Sequence, residues 1–172
     1  MDVKKEILRE HSKAQCDKIV HWIGDDKKRF QELFELFLHG DYRITQRAAW
    51  PLSNCVISHP RLLKANYVKL IANLEKDDLH DAVKRNTLRL LQQVNIPQKI
   101  EGTVMEACFK YLASQHEAVA IKAFSLGVLG KLAKKYPEII PEIKLIIEEQ
   151  LPHQGAAFRS RARNFLKTFP SG

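Results

Sequence analysis

Four histidines, His39, His80, His116 and His153, recur at intervals of 41, 36 and 37 residues, a regularity that raises the question of a metal centre. A zinc-like ion needs ligands converging at roughly 2 Å. Residues that recur once per packed helical unit stand roughly 8–10 Å apart instead, so the spacing predicts solvated turn histidines and no metal. Cys16, Cys55 and Cys108 are odd in number, far apart and set among apolar residues. They are expected to be reduced core thiols of a cytoplasmic protein. The chain has no HExxH, CxxC or GxSxG, and its seven glycines are scattered singly, so no loop is built to cradle phosphate. Trp50 and Asn54, one helical turn apart, are a candidate aromatic and polar contact pair. No catalytic residue, cofactor or small-molecule substrate is expected.

Charge directs attention to binding. Twenty-eight Lys and Arg against 20 Asp and Glu give a net charge of +8 over 172 residues, which favours polyanions or acidic protein surfaces. Hydrophobic residues at 45% and charged residues at 28% are an ordinary globular balance. The segment "MDVKKEILREH" mixes acids with bases, and no run of about 18 apolar residues occurs. Neither secretion nor a membrane partner is expected.

The elements that must hold these residues emerge from self-similarity. "ITQRAAWPLSNCV" lies over "AVKRNTLRLLQQV" at an offset of 38 residues and over "AIKAFSLGVLGKL" at 38 more. Apolar columns then coincide: Thr45, Val83 and Ile121; Trp50, Leu88 and Leu126; Leu52, Leu90 and Val128; Val56, Val94 and Leu132. A shorter fourth copy, "SRARNFLKTF", puts Phe165 in the Trp50 column. Between the copies lie other apolar helical segments, "KKRFQELFELFLHG", "RLLKANYVKLIANL", "QKIEGTVMEACFKYL" and "EIIPEIKLIIEEQL", the last three opened by Pro60, Pro97 and Pro137. Proline at a helix start sacrifices no hydrogen bond. No strand-like alternation competes, and a helix pair of about 38 residues must stack on its neighbours to bury its apolar face.

The turns and second helices resemble the HEAT repeat, in which an acid in the turn precedes an apolar residue, a base, and small and apolar residues. "DYRITQRAAW", "HDAVKRNTLRLL" and "EAVAIKAFSLGVL" supply Asp41, Asp81 and Glu117, followed by Arg47, by Lys84 with Arg85, and by Lys122. The fourth copy lacks the turn acid. The resemblance implies an all-α fold, a right-handed α-solenoid of four HEAT-like pairs forming one domain over 1–172. Its repeats are expected at 25–59, 60–96, 97–136 and 137–170. An N-terminal cap, 1–24, would cover the first open end with Ile7, Leu8, Ile19, Trp22 and Ile23.

Charge is sorted between the two helix sets. The second helices and their first turns carry Arg43, Arg47, Lys84, Arg85, Arg89, Lys122, Lys131, Lys134, Lys135, Arg159, Arg161, Arg163 and Lys167, with acids only at their starts. The first helices carry both signs. In the resembling family the second helices line the concave face. That face is therefore expected to bind an acidic protein or peptide, or a nucleic-acid backbone, through Arg47, Lys84, Arg85, Arg89, Lys122, Lys131, Lys134, Arg159, Arg161 and Arg163. Turn acids are expected to pair with some of these bases, Arg47, Arg85 and Lys122 above all. DNA-alkylation-repair glycosylases share such a fold and use an aromatic residue with an Asp one turn away. Here the nearest match is Trp50 with Asn54, and an amide cannot act as the base, so binding without catalysis is expected. The column shared with Leu88, Leu126 and Phe165 marks Trp50 as a core knob, and Pro51 predicts a kink in its helix.

Overall fold

Short polar residues decide where the first helices begin. In the computed structural model, which describes residues 1–170, the side chains of Asp2, Ser12, Asp26 and Asp41 each accept from an otherwise unpaired backbone N–H in the first turn that follows. Each such cap stabilises its helix by about 1 kcal/mol. Ten α-helices follow, with three short 3-10 helices and no strand among the described residues. None of these helices is long and apolar enough to cross a membrane. The chain divides into two compact units, residues 1–95 and residues from 96 on.

The first unit holds α1 (Val3–Arg9), α2 (Lys13–Ile23), α3 (Lys27–His39), α4 (Tyr42–Ser58), a 3-10 helix (Pro60–Leu63), α5 (Tyr67–Asn73) and α6 (Asp81–Gln93). On α3 the spacing of Phe30, Leu33, Phe34 and Phe37 puts all four on one side, and none is more than 1% exposed. Phe30 and Phe34 stack with ring centroids 6.0 Å apart. They pack against α4, which buries Ile44, Ala48, Leu52 and Val56 and also packs on α6. Full burial of each large side chain contributes roughly 1.5–3 kcal/mol. The N-terminal segment folds as the helices α1 and α2 and packs on α4. Ile7, Ile19 and Ile23 are buried there, while Leu8 and Trp22 stay half-exposed.

Two local expectations are corrected. The segment after Pro60 is not one helix: it breaks between Leu63 and Tyr67. Asn66, with ψ near 1°, is drawn into the interior, where its amide donates to Gln31 Oε1 at 3.0 Å. Trp50 is not a fully buried knob like Leu88, Leu126 and Phe165, which are 0 to 4% exposed. It is half-buried and meets the edge of His11, ring centroids 6.0 Å apart. Pro51 is buried within α4, which runs through it as one helix. Proline has no N–H to give, so the Arg47 carbonyl lacks its usual donor four residues on.

The second unit holds α7 (Gln98–Ala113), α8 (Val119–Ala133), a 3-10 helix (Pro137–Ile139), α9 (Ile140–Gln150), a 3-10 helix (Leu151–His153) and α10 (Ala156–Thr168). α8 is its axis, packed by α7, α9 and α10. Gly130 lets α10 approach: a Cβ there would stand 3.3 Å from the Phe165 ring. Through both units the aligned apolar columns are interior, and apart from Thr45 and Trp50 their members are at most 4% exposed.

Candidate basic binding surface

In the first unit the bases of α4 and α6 are partly consumed by their own surroundings. Arg47 Nη1 donates to the carbonyls of Leu8 at 2.8 Å and Ile7 at 3.4 Å. It thereby satisfies carbonyls that the end of α1 leaves unpaired, not a turn acid. Asp41 serves as a helix cap, accepting from Ile44 N at 2.9 Å. Asn54 joins three elements, accepting from Arg89 Nη2 at 2.6 Å and donating to Cys16 Sγ at 3.5 Å. Arg47, Trp50, Asn54 and Arg89 are thus brought together beside the N-terminal helices. Lys84 is half-buried, and Arg85 is exposed.

In the second unit one expected site residue is withdrawn from the surface. Lys122 is 2% exposed, and its ammonium donates to Gln150 Oε1 at 2.8 Å. Gln150 Nε2 in turn donates to the Leu112 carbonyl at 2.6 Å. Burial holds the Lys122 ammonium below its ordinary pKa, with Glu117 partly countering it. Lys131 is half-buried and its pKa is lowered by the same cause. Lys134, Arg159, Arg161 and Arg163 are all exposed.

α10 carries the densest positive charge. It buries Phe158, Ala162 and Phe165 at helical spacing, and Arg159, Arg161, Arg163 and Lys167 stand outside that stripe with no acid anywhere in the helix. Arg159, Arg163 and Lys167, four apart, share one side; Arg161, two from each arginine, does not face with them. None of the four makes an ion pair among the described residues. The one hydrogen bond from these side chains runs from Arg163 Nε to the Arg159 carbonyl at 3.4 Å.

Other functional-looking groups resolve differently. His80 caps α6, its Nδ1 accepting from Ala82 N at 2.9 Å, and its ring lies 4.6 Å from that of Tyr42. His39, His116 and His153 are exposed, and no group of metal-binding side chains occurs among the described residues. All three cysteines are buried and unpaired. A staple missed in the sequence joins α7 to the end of α8. Glu101, 6% exposed, accepts from Lys135 Nζ at 2.8 Å and from the Tyr136 hydroxyl. The signal was present, because Glu101 falls on the stripe of Val104 and Cys108, where an acid is out of place.

Helices α3 and α4 pack on each other, as do α7 and α8, and the apolar columns that recur from one copy to the next are interior, which defines a class of all-α repeat protein. The HEAT repeat domain matches residues 3–169, and the chain belongs to the HEAT repeat family. No curated protein and no solved structure matches it significantly.

Proposed function

We propose that this protein is a non-enzymatic binding module that takes an acidic segment of another protein on the bases of its second helices. One observation carries the reading: α10 gathers four exposed cations with neither an acid in the helix nor an ion pair among the described residues. Like charges four apart on a helix cost about 0.2–0.5 kcal/mol per pair. An acidic partner turns that cost into attraction. HEAT repeats generally mediate protein–protein interaction, which supports a protein over a polynucleotide. Within the second unit, Lys134 adds charge just past the end of α8 while Lys122 holds the fold; in the first unit Arg85 is an exposed base, and Arg47 and Arg89 hold the fold.

Fluorescence anisotropy with a labelled polyglutamate peptide tests this on the full chain. Binding that weakens steeply between low and moderate salt, and is lost when Arg159, Arg161, Arg163 and Lys167 become Glu together, is the expected result. Absence of binding at low salt would sink the reading. A single-stranded oligonucleotide binding more tightly than the peptide at equal salt, with a slope that falls by about one per phosphate-contacting base removed, would replace it with backbone recognition of nucleic acid.

A further inference from the structure

We infer that the Arg159 and Arg163 side of α10, together with the turn before it, is a docking groove for an acidic segment bearing a bulky aliphatic side chain between its carboxylates. This rests on the reading of the protein as a binder of acidic segments, and it specifies the place and the chemistry. Leu151, Pro152, Arg159 and Arg163 line one open depression. The two arginines are neighbours along the helix, with Cβ atoms about 5–6 Å apart, a separation matched by two carboxylates one turn apart on a facing helix.

Nothing of the described chain neutralises them. No acid follows Glu149 in the sequence, and both guanidinium ends lack a partner among the described residues, Arg163 using only its Nε. A guanidinium fork fits a carboxylate bidentately and is less strongly hydrated than an ammonium. The remaining wall is apolar: Pro152 is exposed and Leu151 half-exposed. A sugar–phosphate backbone gives that wall little to bury, whereas a leucine or isoleucine removes both its own surface and that of Leu151 and Pro152 from water. Charge and apolar surface side by side therefore select an amphipathic acidic peptide.

The test uses two labelled helix-forming peptides with glutamates four apart, identical except that one has Leu and the other Ser between the acids. The full chain is expected to bind the Leu peptide about five-fold more tightly, the effect of burying roughly half an aliphatic side chain. Leu151→Ser, at a half-exposed site, abolishes that preference and leaves the Ser peptide's affinity unchanged. Arg159→Glu with Arg163→Glu weakens both by about ten-fold or more, with circular dichroism unchanged. Equal affinity for the two peptides, or a preference that survives Leu151→Ser, overturns the groove while the acidic-partner reading stands. No binding of either peptide overturns both.

Discussion

A methyl group at Gly40 has no room. It would stand 2.5 Å from Ile44 Cγ2 and 2.5 Å from the Leu36 backbone carbonyl, and a backbone atom cannot swing aside as a flexible side chain does. Gly40→Ala is expected to destabilise the chain by about 2 kcal/mol or more, measured as a shift in the urea midpoint at constant slope. Lys122 makes the opposite point. Replacing a buried ammonium with an apolar chain of similar length removes a desolvation cost along with one hydrogen bond, so Lys122→Met is expected to change stability by less than about 1.5 kcal/mol. Peptide affinity should stay unchanged; a large loss of affinity would return Lys122 to the binding surface. Its burial was not legible from the repeat alignment. Periodicity shows which side of a helix is apolar, but α8 is packed by three other helices, and a column that is half-buried at Lys84 is interior at Lys122.

Among the elements, the join of α7 to α8 and the charge of α10 have measurable consequences. Lys135, and then Tyr136, hold the Glu101 carboxyl below its ordinary value of 4.5. A carboxyl with a lowered native pKa stabilises the fold fully above its unfolded value, and that contribution disappears as pH falls through the native one. Glu101→Gln should therefore lower the thermal midpoint near neutral pH, with the gap from the parent narrowing as pH falls below 4.5. A gap independent of pH would mean that the carboxylate's charge contributes nothing. On α10, Arg163→Gln relieves two like-charge neighbours and is expected to raise stability by about 0.4–1 kcal/mol while weakening acidic-peptide binding. Helix order, the helix start after Pro97 and the buried columns were legible because each rests on local chemistry, whereas Pro137 opens a 3-10 turn and α9 starts only at Ile140. The break at Asn66 was not legible, since the side chain that Asn66 meets there belongs to Gln31, 35 residues away.

At the scale of the whole molecule, the repeat pattern pointed to a HEAT-like helical-repeat protein, and the match over residues 3–169 agrees. Which bases face outward was hidden until the packing was known, because Arg47 and Arg89 have the same side chain as Arg159 and Arg163 and differ only in their neighbours, as buried Lys122 does from exposed Lys134. The three cysteines offer a way to watch that packing loosen. Burial pushes Cys16 up to about 11 and Cys55 up to about 12, and raises Cys108 as well. Thiolate, the species that alkylating and disulfide reagents attack, is scarce at neutral pH and shielded where it forms. The native chain should accordingly resist such reagents, and each thiol should react only at the rate at which its surroundings open. Cys16 and Cys55 would clock the first unit and Cys108 the second. Labelling followed by mass spectrometry would thus reveal whether the repeats melt in one cooperative step or in two, a distinction that sets how far a partner docked on α10 can protect the rest of the chain from unfolding.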